Sequence, residues 1–296
     1  MTVETVVMAF VIGLMLGGLY SAISIGLSLI FGVIRVINFA QGGFLMLAAY
    51  SSFWLWKFFR IDPYLSLVIV GPLFFVFGYA VQHWLIRPIF IREKALVVEP
   101  LGALLLTVGL DLVMANLALF FFGSEYRAVV SPFAFTTISL GFLEINFTRF
   151  FVFLMAFIIT GGLYLLLNNT EMGMAIRSVG QNREAAALCG INVYRTYDLS
   201  FGIGIVAVAL AAASFIPFIP VSPAMGGHLG IKSFIVVVLG GLGSIPGALI
   251  GGIILGVVES VGSLFVPGTT AYILSFVLFI IILLFRPKGI MGVLGS

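Results

Sequence analysis

The stretch TEMGMAIRSVGQNREAAALCGINVYRTYD, residues 170–198, is a polar segment within a strongly apolar chain. Asn182 is a residue type that caps helix N-termini, and Glu184 stands in the first turn of the Ala-rich run that follows. Gly190 stands where a left-handed C-terminal cap is expected. The pattern predicts a short helix over residues 183–189, which is marginal alone in water and needs a surface to pack on. We expect another protein to bind it; the alternative is an ordinary loop with an Ala-rich turn.

The composition sets the broad class of the protein. Of its 296 residues, 62% are hydrophobic and 8% are charged, against roughly 25% charged in a soluble domain. The mean hydropathy is +1.27, and apolar runs of membrane-spanning length recur throughout, which predicts an all-α, polytopic helical membrane protein. The net charge of +3 gives no indication of nucleic-acid binding. The single cysteine, Cys189, excludes an internal disulfide and a cysteine-based metal site.

The apolar runs and basic clusters predict a topology. Residues 1–34 contain neither Lys nor Arg, and Arg35 follows the first apolar run, which places the N-terminus outside. If the glycine-broken region 230–264 crosses twice, about eight or nine crossings result, with the C-terminus inside. The predicted spans are 5–34, 42–59, 64–90, 100–122, 148–168, 197–217, 230–264 and 269–285, and the predicted cytoplasmic clusters are Arg87/Arg92/Lys94, Arg177/Arg183/Arg195 and Arg286/Lys288.

Two segments are poorly suited to lipid-facing helices. One is GVIRVINFAQGG at 32–43, and the other is VVVLGGLGSIPGALIGGIILG at 236–256. Broken helices at membrane depth persist only where they are buried in protein or line a cavity, so they are candidates for a translocation path. The alternatives are a hydrogen-bonded turn in the first segment and small-residue helix packing in the second. The candidate path residues in these segments are Asn38, Gln41, Gly42, Gly240, Gly241 and Gly243.

Two acidic residues, Asp111 and Glu259, lie well inside predicted spans. An intramembrane carboxylate is expensive and usually faces the protein interior, so Asp111 is a further candidate for the path or a substrate contact. The alternative for Asp111 is a buried structural partner, and for Glu259 the structural interpretation is favoured. His83 and His228 are isolated, so no metal site is predicted.

Four stretches carry a resemblance to a known family. NFAQGGF at 38–44, residues 170–192, residues 236–260 and LLFRPKGIMG at 283–292 resemble the signature stretches of branched-chain amino acid ABC permeases. The chain is similar to the shorter, Liv H-type subunit. Gln41 replaces the histidine usual in the first stretch, and Asp111 stands where a small or hydroxylated residue is expected. These departures leave open related substrates, namely urea, short amides and aromatic acids.

The resemblance implies a role for the polar segment. Glu184-Ala185-Ala186, followed after three residues by Gly190, is similar to the EAA loop of ABC importer permeases, whose coupling helix docks on the ATP-hydrolysing subunit. The implied coupling residues are Arg183, Glu184, Ala185, Ala186 and Gly190.

The implied function is that of a transport subunit rather than an enzyme. No P-loop, HExxH or G-x-S-x-G motif is present, so no cofactor is expected in this chain and ATP belongs to partner subunits. The implied partners are a second permease subunit (homologue or copy), two ABC ATPases, an extracytoplasmic substrate-binding protein and the lipid membrane. Residues 1–296 would form one permease domain in the bacterial cell (inner) membrane, importing branched-chain or related small amino acids. A secondary transporter or channel is the alternative, although it has no reason to present a coupling helix.

Overall fold

Helices account for nearly all of the regular structure in this chain. The computed structural model describes residues 3–92, 101–131, 136–140, 143–266 and 268–292, so Lys94 of the first basic cluster lies outside the described residues. The helices are α1 (Val3–Ile34), α2 (Gln41–Phe59), α3 (Pro63–Val81), a π-helical turn (Gln82–Ile86), α4 (Arg87–Arg92), α5 (Leu101–Phe122), α6 (Phe147–Asn169), α7 (Glu171–Gln181), α8 (Arg183–Leu188), α9 (Val193–Phe215), α10 (Met225–Gly240), α11 (Ile245–Gly262) and α12 (Gly268–Phe285).

Six of these helical segments are long and apolar enough to cross a membrane. The α3–α4 segment counts as one of them, running through the π-helical turn from Pro63 to Arg92. Two shorter apolar helices, Met225–Gly240 and Ile273–Phe285, add to them. The prediction of a polytopic helical membrane protein is confirmed, whereas the number of crossings and the orientation stay predictions.

A small hairpin is the exception to the helical pattern. Strands β1 (Thr137–Leu140) and β2 (Leu143–Asn146) pair antiparallel, with Thr137 opposite Asn146. Strands of four residues carry too little periodicity to stand out in a sequence, and the hairpin was not predicted. Asn146 then caps α6, because its side-chain oxygen accepts the amide hydrogens of Thr148 and Arg149. The hairpin thus leads directly into a membrane helix.

Helix α9 lies at the centre of the helix bundle. Most of its length is buried, whereas most of α5 is exposed. Alanines such as Ala209 and Ala213 are fully buried, and Gly204 faces Gly26 of α1 at backbone contact. Small side chains let neighbouring helices approach α9 closely, which is the main source of helix–helix attraction in lipid.

Helices α1 and α11 pack through a second row of small residues. Gly252 and Gly256 of α11 meet the backbone of α1 at Ser21 and Gly17. The Ser21 hydroxyl donates to the Leu249 carbonyl at 2.7 Å. The packing interpretation of these two α11 glycines is therefore confirmed.

We expect Gly17→Leu to destabilise the protein strongly. A Cβ at Gly17 would lie 2.5 Å from the Ile253 Cα and 2.9 Å from the Gly252 carbonyl oxygen, which are backbone atoms that cannot turn away. Overpacking of this kind costs about 1–3 kcal/mol or more. The melting temperature in detergent should fall, whereas Gly161→Leu on α6 should leave it unchanged, because nothing lies within 4 Å of a Cβ there. Equal melting temperatures would contradict the close α1–α11 contact.

Candidate functional site

The short helix of the polar segment is capped at both ends. The Asn182 side-chain oxygen accepts the amide hydrogens of Glu184 and Ala185, each at 3.0 Å. Gly190 has φ +84°, its N–H donates to the Ala187 carbonyl, and the N–H of Ile191 donates to the Ala186 carbonyl. This pair of bonds is the Schellman motif, which ends a helix with a left-handed residue. Both predicted caps of α8 are confirmed.

A longer helix precedes α8 within the same segment. Helix α7 begins at the Thr170 cap, whose hydroxyl accepts the Gly173 amide hydrogen at 3.0 Å. Its buried residues, Gly173, Ile176 and Val179, recur every three positions and face the protein. Helix α7 was not predicted, although its threonine cap and the spacing of three between its buried residues are a visible signal in the sequence.

Helix α8 presents most of its surface to solvent. Ala186 is buried against the protein, whereas Glu184, Ala185 and Leu188 are exposed, and Leu188 is 90% exposed. A helix this short needs a packing surface, yet the described residues cover only one side of α8. The uncovered side, ending in an apolar leucine, is suited to contact with a partner protein.

A cavity of about 280 Å³ lies between the α1–α2 connection, α5 and α10. Its volume falls just below the usual range of ligand pockets, roughly 300–1,000 Å³. The cavity brings together four of the seven path candidates, Asn38, Gln41, Gly42 and Asp111. The remaining wall is mostly apolar or glycine: Leu27, Ile37, Phe39, Val108, Leu112, Gly226, Gly227, Gly230, Ile231 and Phe234.

Helix α5 fixes the α1–α2 connection at two points, one helical turn apart. Asp111 Oδ1 accepts the Gly43 amide hydrogen at 2.8 Å. The Thr107 hydroxyl accepts the Phe39 amide hydrogen at 3.3 Å and donates to the Leu104 carbonyl. Because Thr107 and Asp111 are four residues apart, they lie on the same face of α5. Asp111 therefore both anchors the start of α2 and offers a carboxylate to the cavity.

Asn38 and Gln41 each use only part of their hydrogen-bonding capacity. Asn38 Oδ1 accepts the Ala40 amide hydrogen at 3.1 Å, and Gln41 Nε2 donates to the Ile23 carbonyl at 3.0 Å. The predicted hydrogen-bonded turn is thus present. Yet Asn38 Nδ2 and Gln41 Oε1 have no partner, although the two residues are only 3% and 2% exposed. A buried unpaired polar group costs about 1–3 kcal/mol, so pairing this donor and this acceptor with a water or a ligand would be favourable.

The other three path candidates lie away from this cavity, at backbone contacts. Gly240 packs against Gly247 of α11. Gly241 (φ +106°) meets the backbone of Lys288 and Gly292, and Gly243 (φ +85°) packs on Gly32. Positive φ angles of this kind favour glycine at both turn positions. The structure therefore gives these three glycines a packing role, and a contribution to the path stays a prediction.

Comparison with known proteins places the chain in a family. Residues 9–283 match the family described as the branched-chain amino acid transport system / permease component. The chain belongs to this family. No solved structure gives a significant match.

Three curated relatives are similar over nearly their whole length. The high-affinity branched-chain amino acid transport system permease protein BraD of Pseudomonas aeruginosa is 30% identical over 293 residues, covering 95% of this chain and 94% of the relative. The permease protein LivH of the corresponding high-affinity system of Escherichia coli K12 is 32% identical over 295 residues, covering 95% and 93%. The probable branched-chain amino acid transport permease protein LivH of Methanocaldococcus jannaschii is 34% identical over 295 residues, covering 92% and 88%.

Family membership settles the type of protein. The chain is a multi-pass membrane permease of an ABC importer, and ATP hydrolysis belongs to separate subunits. Its complex includes permease, ATPase and binding-protein components. The family favours the importer over the secondary transporter or channel. Among the described residues, no group of three or more His, Cys, Asp or Glu side chains could hold a metal ion.

The permease also contains an ion pair inside the helix bundle. Lys232 Nζ lies 2.7 Å from Glu259 Oε2, and both side chains are largely buried. The Tyr20 hydroxyl donates to the same carboxylate at 3.1 Å, and that of Ser275 donates to it at 3.2 Å. The network joins α1, α10, α11 and α12. The structural interpretation of Glu259 fits this network, but Lys232 was overlooked, although a lysine within an apolar run was a visible signal.

A second charged cluster joins α9 to the π-helical turn. Asp198 is fully buried, and its Oδ2 lies 2.8 Å from His83 Nδ1 and 3.1 Å from Arg87 Nη1. The sequence analysis read His83 as isolated because its partner is 115 residues away. The cluster anchors the start of α9, the helix that follows the polar segment.

We expect Lys232→Met to lower the stability of the permease by about 3–5 kcal/mol, because it leaves a buried carboxylate unpaired. Glu259→Gln should also be destabilising, because it leaves the buried Lys232 ammonium without its counter-ion, although the amide keeps the size of the side chain and can still bond Tyr20 and Ser275. The double variant should recover part of the loss, since it removes both charges. Melting temperatures in detergent would measure all three, and additive losses would contradict the pairing.

Proposed function

We propose that this permease imports branched-chain or related small amino acids across the bacterial cell (inner) membrane. It would work with a second permease subunit (a homologue or a copy), two ABC ATPases and an extracytoplasmic substrate-binding protein. Residues 1–296 would act as one permease domain. The named relatives support this substrate class, and the observation that carries the proposal is the doubly capped, solvent-exposed helix α8.

Helix α8 would be the coupling helix on which an ATPase docks. The caps stabilise this helix of six residues, which is too short to gain much stability from its own backbone hydrogen bonds. The exposed Glu184 and Leu188 give a docking surface with one charge and one apolar contact. Arg183, Ala185, Ala186 and Gly190 complete the proposed coupling residues. In this proposal the segment 170–198 lies in the cytoplasm.

The cavity beside Asp111 would be part of the translocation path. An amino acid carries an ammonium group, a carboxylate and a side chain. The Asp111 carboxylate and Gln41 Oε1 suit the ammonium, and Asn38 Nδ2 is a donor for the substrate carboxylate. The apolar wall at Ile231 and Phe234 suits a branched aliphatic side chain. Urea and short amides carry no positive charge to pair with Asp111 and little apolar surface to cover the wall at Ile231 and Phe234.

The transport cycle would couple these two places. ATP binding draws the two ATPases together and moves the coupling helices of both permease chains. The permease pair then alternates between outward and inward access, as packed interfaces switch between discrete arrangements. Cavities along the path open to one side at a time.

We expect Gly190→Leu to abolish uptake while the protein still inserts and folds. Nothing lies within 4 Å of a Cβ at this position, so the effect comes from φ +84°, which a leucine resists by about 1–2 kcal/mol. The end of α8 would be remodelled and the docking surface displaced. Uptake by the complex in proteoliposomes and co-purification of the ATPases would measure the effect.

Gly123→Leu is the matched control for that variant. Gly123 also has a left-handed φ of +73°, with nothing within 4 Å of a Cβ, but it follows α5, far in sequence from the coupling segment. It carries the same backbone strain and should retain uptake. Normal uptake by Gly190→Leu would contradict the assignment of α8 as the coupling helix.

We expect Asp111→Asn to weaken amino-acid uptake and to change its selectivity. The amide keeps the size and can still accept from the Gly43 amide, but it loses the charge that attracts an ammonium group. Leucine uptake should fall by about tenfold, equivalent to about 1.4 kcal/mol. Competition by valine, urea, a short amide and an aromatic acid would measure selectivity.

Glu4→Gln is the control for Asp111→Asn, because it removes the charge of an exposed carboxylate in the first turn of α1. It should change neither rate nor selectivity. If Asp111→Asn lowers the melting temperature but leaves selectivity unchanged, the role of Asp111 is structural, through its hydrogen bond with Gly43, and it does not contact the substrate.

A further inference from the structure

Arg35 holds an unusual backbone conformation between α1 and the α1–α2 connection. Its φ of 58° lies in the left-handed region, which few residues other than glycine adopt. Its guanidinium Nη2 donates to the carbonyls of Gly180 at 3.1 Å and of Gln181 at 3.3 Å. These carbonyls belong to the last turn of α7, where an arginine also interacts favourably with the helix dipole. Arg35 thus caps the helix that leads into α8.

The same corner is in backbone contact with the end of α1. A Cβ at Gly180 would lie 2.9 Å from the Gly32 carbonyl oxygen, so the two backbones touch. Beside this contact lies a cavity of about 240 Å³, which is bordered by Arg35, Arg183 and Glu184. The α7–α8 corner is therefore fixed to α1 by a packing contact and by two hydrogen bonds from one side chain.

The chain that leaves Arg35 runs directly into the Asp111 cavity. Asn38, three residues later, is part of the cavity wall and carries an unpaired Nδ2. Beyond it, Thr107 and Asp111 of α5 bind the amides of Phe39 and Gly43. Residues 35–43 are thus tied to the coupling segment at one end and to α5 at the other. The segment between these two attachments is short, so it cannot absorb a large displacement of α7 without moving itself.

We propose that Arg35 is the positioning residue that transmits displacement of the coupling helix to the Asn38 wall of the cavity. When α8 moves with its ATPase, the two hydrogen bonds draw the α1–α2 connection along with it. This inference rests on the proposed function, because it takes α8 to be the coupling helix. Arginine suits the role, because its long side chain brings the terminal Nη2 within hydrogen-bonding distance of two successive carbonyls. A lysine also has several donors, but its side chain is shorter.

The test is Arg35→Asn in the complete reconstituted complex. Asparagine tolerates the left-handed conformation, so the variant adds no backbone strain, but it is too short to reach α7. The measurement is the number of ATP molecules hydrolysed per amino acid imported, with substrate-loaded binding protein present. We expect hydrolysis to stay within about twofold of the unmodified complex and the ratio to rise by about five- to tenfold, the range of a coupling free energy between sites.

Arg60→Asn is the matched control. Arg60 also has a left-handed φ of 57° and an exposed side chain, but it ends α2, on the predicted opposite side of the membrane. Its ratio should be that of the unmodified complex. Arg35→Lys keeps the positive charge and has donors for the α7 carbonyls, but its side chain is shorter, so its ratio should lie between those of the unmodified complex and Arg35→Asn. If Arg35→Asn does not assemble, the ratio of Arg35→Lys decides, and an unchanged ratio overturns the inference.

The outcomes separate this inference from the proposed function. If Gly190→Leu abolishes uptake while Arg35→Asn keeps the unmodified ratio, the coupling helix stands and the role of Arg35 is overturned. If Arg35→Asn lowers hydrolysis, import and melting temperature in proportion, Arg35 is a structural cap only, which also overturns the inference. If Gly190→Leu imports normally, the coupling assignment itself fails.

Discussion

Close approach of helix backbones at glycine is the constraint on which this permease depends. Lipid tails are as apolar as the helix surfaces, so the hydrophobic effect does not drive helices together within a membrane. Helices associate there through van der Waals contacts and interhelical hydrogen bonds, and both need small residues that let the backbones approach. Gly26 meets Gly204 between α1 and α9, and Gly32 meets Gly243 near the end of α1. Around the cavity, Gly42 meets Gly226, which brings α10 against the start of α2. The geometry of the site thus follows from the same contacts that hold the bundle together.

Charges within the bundle add specificity to this packing. Glycine contacts fix distance but tolerate sliding and rotation, whereas an ion pair is satisfied in one arrangement only. Lys232 and Glu259 join α10 to α11, and Asp198 joins α9 to the π-helical turn through His83 and to α4 through Arg87. Each buried charge would be unfavourable alone, and each is compensated by its partner. Asn38 and Gln41 at the cavity are among the residues that keep a buried polar atom without a partner.

The sequence predicted the local features well and the distant pairings poorly. Six candidate spans followed from apolar runs. The caps of α8 followed from Asn182 and Gly190, because capping depends on residues within a few positions. Asn38, Gln41 and Asp111 were candidates from their types alone; that they share one cavity needed the fold. The bond between Tyr20 and Glu259 spans 239 residues, and no periodicity reports such a contact. Helix α7 and the hairpin were missed because their signals are short.

The position of Lys232 restricts how the cavity can change shape. Ile231 and Phe234 of α10 line the cavity, while Lys232 points to Glu259 and the Ser233 hydroxyl donates to the Ile23 carbonyl of α1 at 3.2 Å. Turning α10 about its axis would separate buried opposite charges, which is strongly unfavourable. One wall of the cavity is therefore held against rotation relative to α1 and α11. The opposite wall, at Asn38 and Asp111, is held by hydrogen bonds alone, so the two walls resist displacement unequally.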